Sequence, residues 1–126
     1  MAVEKLVSVV DDDVSVRESL PDLLRSFGFA VAPFASAEAF LASGSFDRTR
    51  CLILDVAMPG MTGPELQEEL IRRRHDVPIV FITAHSDDRM VARVLERGAV
   101  ACLYKPLSEA ALMEAVNTAF GSGEGA

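Results

Sequence analysis

Five short apolar runs, none broken by a charge, constrain this chain more than any other feature. They cover Lys5 to Val10, Phe29 to Phe34, Cys51 to Asp55, Pro78 to Thr83 and Val100 to Tyr104. Between them lie polar stretches with helical spacing. A strand with one wet face alternates apolar and polar residues; a strand covered on both faces reads as a continuous apolar run. Continuous runs alternating with helices therefore require a parallel sheet with helices on both faces. Right-handed crossovers make this a doubly wound, three-layer α/β fold. The strand order 2-1-3-4-5 is one common solution, which the sequence by itself does not prove.

The helices carry their own punctuation. Ser15 reads as the N-cap of a helix from Val16 to Phe27, with Glu18 in the capping-box position. Val16, Leu20, Leu23, Leu24 and Phe27 form its apolar face, Pro21 is an anomaly inside it, and Gly28 stops it. Pro33 puts the second strand near a sheet edge. Ser36 caps a short helix from Ala37 to Leu41, and 44–50 is a loop. Gly63 and Pro64 open a third helix with Leu66, Leu70 and Ile71 inward, and Arg72, Arg73 and Arg74 in its last turn complement the helix dipole. Ser86 and Asp87 cap a fourth helix from Asp88 to Arg97, ended by Gly98. Ser108 caps a last helix ending near Phe120. Residues 1–120 thus form one domain, and 121–126 read as a flexible tail or the start of a linker.

Composition excludes some functions. The net charge of -7 argues against direct nucleic-acid binding through a basic face. No apolar segment approaches the roughly 20 residues that span a bilayer, so a cytoplasmic location is expected. Cys51 and Cys102 lie in strand-like runs and read as free thiols in a reducing compartment.

The chemistry gathers where the strands end. The first strand runs into Asp11 and Asp12, the third ends in Asp55, the fourth in Thr83, and Lys105 follows the fifth. In the order 2-1-3-4-5 these ends are neighbours, at the sheet edge where ligands bind in such folds. Carboxylates placed together repel and raise each other's pKa values. A hard divalent cation removes that cost, and Mg²⁺ typically uses one or two carboxylates plus phosphate oxygens. Asp55 is then a candidate nucleophile that forms an aspartyl-phosphate, with Lys105 and Thr83 holding phosphoryl oxygens.

The pieces Val9-Val10-Asp11-Asp12, 54–63 (Leu-Asp-Val-Ala-Met-Pro-Gly-Met-Thr-Gly), Ile82-Thr83-Ala84 and Tyr104-Lys105-Pro106 together resemble a response regulator receiver domain of two-component systems, over essentially the whole chain. Residues 28–31, 36–41 and 83–85 look most like the FixJ-type subfamily. The resemblance implies a flavodoxin-like fold and a signalling phosphoprotein more than an enzyme, one that assists its own phosphorylation and dephosphorylation. It implies that Asp55 accepts the phosphoryl group from a sensor histidine kinase or phosphotransfer protein. Asp12 and Asp55 would bind Mg²⁺ (or Mn²⁺) directly, with the backbone carbonyl of Ala57 as a third contact and Asp11 acting through water. Thr83 would be the switch hydroxyl, Lys105 the phosphate-binding lysine, and the Lys105-Pro106 bond cis. Asp13 would cap or face solvent.

One position departs from the family. Three residues before Lys105, where an aromatic switch residue is usual, stands Cys102. Tyr104 is one residue before Lys105, and strand alternation is expected to prevent it from replacing the ring. Ala57 and His85, two residues past Asp55 and Thr83, flank the path of a hydrolytic water. Arg89, Arg93 and Arg97 form a basic stripe on the fourth helix, with Glu109 and Glu114 available on the last one. The family's face of helix 4, strand 5 and helix 5 would then control homodimerisation or an output partner, such as a C-terminal DNA-binding domain absent from this chain. Two alternatives stay open: a receiver-like interaction module that works without phosphorylation, and a Mg²⁺-dependent phosphatase with an Asp nucleophile. Ala57 counts against the second, because such enzymes usually place an acid there.

Overall fold

A computed structural model describes residues 5–85 and 87–124. Its strands are β1 (Leu6–Val10), β2 (Ala30–Phe34), β3 (Cys51–Asp55), β4 (Ile79–Thr83) and β5 (Ala101–Tyr104). The helices are α1 (Val14–Ser26), α2 (Ala37–Leu41), α3 (Gly63–Arg72), α4 (Asp88–Glu96) and α5 (Glu109–Glu124), with a 3-10 turn at Phe46–Arg48. All strand pairs are parallel, in the order β2-β1-β3-β4-β5. The doubly wound fold expected from the apolar runs is the one observed. Among the described residues no helix is long and apolar enough to cross a membrane.

Strand alternation divides the core in two. Val7, Val9, Cys51, Ile53, Val80 and Ile82 face α1 and α5, where they meet Leu20, Leu24, Leu112 and Val116. Val10, Leu52, Leu54, Ile79 and Phe81 face the other way, onto Phe40, Leu66, Leu70 and Val94. The central strands are buried residue by residue, which is why their sequence shows no alternation. The one polar exception inside β1, Ser8, shares a 2.6 Å hydrogen bond with the Thr49 hydroxyl.

Several helix boundaries differ from the sequence expectation. Asp13, not Ser15, caps α1: its carboxylate accepts the Ser15 amide at 2.9 Å. An aspartate two residues earlier is an equally strong cap, and it lets the helix start at Val14. Phe27 stands at the C-cap and is half exposed, because Gly28 (φ +94°) turns the chain there. The inward ring is Phe29, stacked on Phe120 at 5.2 Å. Pro21 sits buried in the helix without interrupting it. On α3 the inward face is Gly63, Leu66, Gln67 and Leu70, and Ile71 is exposed. The amide of Gln67 takes the extra inward place by donating to the Val94 carbonyl of α4 at 3.0 Å.

Of the three arginines at the end of α3, Arg72 and Arg73 both pair with Glu69, and Arg74 adopts a left-handed conformation (φ 57°) past the cap. Asp87 caps α4, as expected; Ser86 lies outside the described residues. Ser108 caps α5 by accepting the Ala111 amide. That helix does not stop near Phe120 but runs to Glu124. Two glycines cost a helix only about 1 kcal/mol each, and the turns before them are anchored by buried Leu112, Val116 and Ala119. Residues 125 and 126 of the expected tail lie outside the described residues.

Candidate functional site

The site forms where β1, β3, β4 and β5 end. Val10 pairs with Leu54, so Asp11 and Asp55 leave the sheet at the same level. Both share the parity of the residues that face α1 and α5, as does Lys105. Alternation therefore sends one ammonium and two carboxylates to one side of the sheet edge. The Lys105 Nζ lies 2.9 Å from Asp11 Oδ2 and 3.7 Å from Asp55 Oδ1. The Lys105-Pro106 peptide bond is cis.

Asp11 is fully buried and held from several sides. Its Oδ1 accepts the Asp13 amide at 2.9 Å, and its backbone carbonyl accepts Arg17 Nη1 at 2.9 Å. Its Oδ2 is buried without a hydrogen bond of good geometry; the contact with Lys105 is ionic. Asp12, at the mouth, is exposed. Carboxylate oxygens of Asp11, Asp12 and Asp55 all lie within 4.8 Å of one another. Asp55 is nearly buried, and burial is the first reason its pKa is pushed up to about 7. The charge of Asp11 adds to the rise, Lys105 opposes it, and a hydrogen bond with Asp11 and the charge of Asp12 contribute the rest. Burial alone would lower the pKa of the Lys105 ammonium, but its contact with Asp11 and the charges of Asp11, Asp55 and Asp13 hold it above the usual value.

This donor set fits a hard divalent cation. Its side-chain donors are all oxygen, and three carboxylates concentrate negative charge in one place. Ala57 lies in the exposed loop just beyond β3, on the same edge.

Thr83 has the opposite parity and faces the α4 side. Its hydroxyl donates to the His85 carbonyl and accepts the His85 amide, both at 3.1 Å. Among the described residues it makes no hydrogen bond to the carboxylates. The expected site residues thus converge, but the Thr83 hydroxyl is engaged in the loop that leads to α4.

On β5, Cys102 pairs in register with Phe81 and Tyr104 with Thr83. Cys102 is half-buried against the core cluster on the α4 side. Tyr104, two residues on, shares that face by alternation, which corrects the expectation that alternation keeps its ring away. What sets Tyr104 apart is exposure: it stands at the strand end and is 46 % exposed. Both thiols are free; burial pushes Cys51 up to about 12 and raises Cys102. The stripe on α4 also divides, since Arg97 turns to α3 and pairs with Glu68 at 3.3 Å rather than with the acids of α5.

Three supporting residues were not assigned these roles from sequence: Arg17, Glu38 and Gly63. A Cβ on Gly63 would collide with the Asp55 carbonyl oxygen and come within 3.1 Å of the Phe81 ring. Gly63 was visible as a helix opener, but the contact that demands glycine is tertiary. The Glu38 carboxylate accepts the Met61 amide at 3.0 Å, across 23 residues of sequence.

The comparisons with known proteins agree with the fold. Residues 7–117 match the family model described as "Response regulator receiver domain". The chain is 46 % identical over 111 residues to nodulation protein W of Bradyrhizobium diazoefficiens, covering 88 % of this chain and 49 % of that protein. It is 41 % identical over 115 residues to the transcriptional regulatory protein FixJ of Azorhizobium caulinodans, covering 91 % and 54 %. Thus it spans about half the length of these curated relatives. Among solved structures, FixJ-N superimposes with a TM-score of 0.83 at 38 % identity, covering 94 % of both chains. The response regulator StyR gives a TM-score of 0.85 at 48 % identity, covering 92 % of this chain and 59 % of that one. With the family model spanning nearly the whole fold and relatives of this identity, the chain belongs to the response regulator receiver domains.

Proposed function

We propose that this domain accepts a phosphoryl group on Asp55, in a Mg²⁺-dependent reaction, from a phosphohistidine on a sensor kinase or phosphotransfer protein. The observation that carries this reading is the Lys105 ammonium set between Asp11 and Asp55, beside the exposed Asp12. In the transfer an Asp55 carboxylate oxygen bonds to phosphorus and the P–N bond to the donor imidazole breaks. The electron pair returns to that ring nitrogen, which takes up a proton. Asp12, Asp55 and the Ala57 carbonyl would hold Mg²⁺, with Asp11 acting through water, and the positive charge supplied there would offset the repulsion among the carboxylates. Lys105 orients the phosphoryl oxygens and offsets their charge. Mn²⁺ has the same preference for oxygen donors and would substitute.

The Thr83 hydroxyl is the link to the surface. To reach a phosphoryl oxygen it must release the His85 carbonyl, which frees the segment leading into α4. Val94 is the buried residue of α4, so little apolar contact resists its movement. The face of α4, β5 and α5 then changes its affinity for a second copy of the chain or an output partner, such as a DNA-binding domain beyond residue 126. The folded unit closes with α5, which runs past residue 120 to Glu124. It operates in the cytoplasm as a signalling switch that assists its own phosphorylation and hydrolysis.

The test is incubation with acetyl phosphate and Mg²⁺, read by intact mass, on wild type and Asp55→Asn. One phosphoryl group should appear on wild type and none on Asp55→Asn or in the presence of EDTA. Absence of added mass on wild type would refute the reading.

A further inference from the structure

We propose that Glu38, on α2, is a positioning residue for the metal-binding loop that follows Asp55. The inference rests on the Mg²⁺ reading given above. Residues 57–61 connect β3 to the cap of α3. Met58 anchors this loop by burying its side chain. After it the amides at the α3 end have defined partners: Thr62 N–H donates to Glu65 at 2.9 Å, and Gly63 N–H donates to the Val56 carbonyl at 3.0 Å. Among the described residues, the hydrogen bond that ties residues 57–61 to another element is the one from Met61 N–H to Glu38 Oε2, at 3.0 Å.

The fit around Glu38 is close. Gly60 turns at φ +74°, and a Cβ there would stand 2.8 Å from Glu38 Oε2. The carboxylate thus nests where the backbone carries no side chain. The base it projects from is rigid: Ala37 and Phe40 are fully buried, and Ser36 caps the helix. Hydrogen bonds from its own amide and from Met61 hold the Glu38 carboxyl below the usual range, so it remains an ionised acceptor at neutral pH. A loop pinned at Met58 and Met61 presents the Ala57 carbonyl in a restricted set of orientations. Releasing one pin widens that set, and metal binding must then supply the ordering.

The signature of a positioning residue is a change in metal affinity without a change in chemistry once metal is bound. The experiment compares wild type, Glu38→Ala and Glu38→Gln. It reads Mg²⁺ affinity by calorimetry, phosphorylation by acetyl phosphate at limiting and saturating Mg²⁺, and hydrogen exchange at the Met61 amide without metal. Glu38→Ala should weaken Mg²⁺ binding by about tenfold, the scale of supporting-partner losses at metal sites. Its rate at saturating Mg²⁺ should stay at the wild-type level, and the Met61 amide should exchange faster. Glu38→Gln retains an acceptor oxygen and should restore both properties. Unchanged Mg²⁺ affinity and Met61 exchange in Glu38→Ala would overturn the clamp while leaving the phosphoacceptor reading intact. A Glu38→Gln protein as impaired as Glu38→Ala would also overturn it. A wild-type protein that binds no Mg²⁺ would overturn both.

Discussion

Removing the Asp55 charge should stabilise the metal-free protein, and the size of the effect follows from the crowding of its carboxylates. Asp55 has its pKa raised from 3.8 to about 7, by burial first and by Asp11 next. Between those values the folded state holds a proton that the unfolded state has lost. Stability is therefore fully present below about pH 4 and is lost as pH rises toward 7, with a slope set by the difference in bound protons. A shift of roughly three units sets a ceiling of about 4 kcal/mol. The Lys105 ammonium opposes the rise and water at the sheet edge screens the charges, so about 2 kcal/mol is the expected effect. For a domain of this size that corresponds to a melting temperature higher by roughly 6–10 °C in Asp55→Asn, at about pH 8 in EDTA. The assay is thermal and urea unfolding of both proteins from about pH 4 to pH 8, taking the difference at each pH so that groups remote from the cluster cancel. Added Mg²⁺ should raise wild type more than Asp55→Asn. A difference that does not vary with pH, or an Asp55→Asn protein less stable than wild type at the upper end, would refute the reasoning.

Gly63→Ala should destabilise the fold by about 1–3 kcal/mol in urea unfolding, because the new methyl meets the Asp55 carbonyl and the Phe81 ring in a buried place. It should also slow phosphorylation, since the strand end that moves carries Asp55. Gln67→Leu removes the hydrogen bond to the Val94 carbonyl and, with it, a buried Oε1 that has no partner. The two effects offset, so stability should stay within about 1 kcal/mol of wild type, while hydrogen exchange near the C-terminal end of α4 quickens. Ala57→Arg should change the lifetime of the phosphoryl group by crowding the approach of water to Asp55, read as decay of the phosphorylated mass; an unaltered half-life rejects that role. Arg93→Glu should weaken phosphorylation-dependent association in sedimentation or light scattering, and should leave phosphorylation itself unchanged.

The fold was legible because a parallel sheet leaves an unusual mark. β1, β3 and β4 are buried on both faces, so their sequences lose alternation and stand out against the helices. The site was legible for a related reason. A charge directly after a buried strand cannot retreat into the core, so Asp11, Asp55 and Lys105 had to gather at the sheet edge. What stayed hidden depends on contacts between elements. Nothing local distinguishes Phe27 from Phe29 as the inward ring; the turn at Gly28 and the stacking on Phe120 decide it. Gln67 reads as a polar surface residue until α4 offers the Val94 carbonyl. Ile71 has the right spacing for an apolar face, yet α3 ends before anything covers it.

The unusual part of the proposed switch lies on the α4 side of the sheet edge. Register pairs Phe81 with Cys102 and Thr83 with Tyr104, so the α4 side of this edge presents a phenylalanine ring, a thiol, a hydroxyl and a phenol ring. A half-buried thiol opposite Phe81 would have little volume to exchange if the Thr83 hydroxyl left His85, as the proposed switch requires. The Tyr104 ring is bulky enough, but it already stands at the strand end in solvent and gains no burial by staying there. Under the proposed switch, the larger lever would therefore be the backbone. Thr83 binds both the carbonyl and the amide of His85, and that segment leads directly to the Asp87 cap of α4. Loss of those two bonds would untie the start of α4, while Gln67 and the Arg97–Glu68 pair would still hold its far end to α3. Under the proposed switch, motion of α4 about its C-terminal end would require no aromatic ring in the core, so a cysteine at position 102 is compatible with the phosphoacceptor role proposed for Asp55.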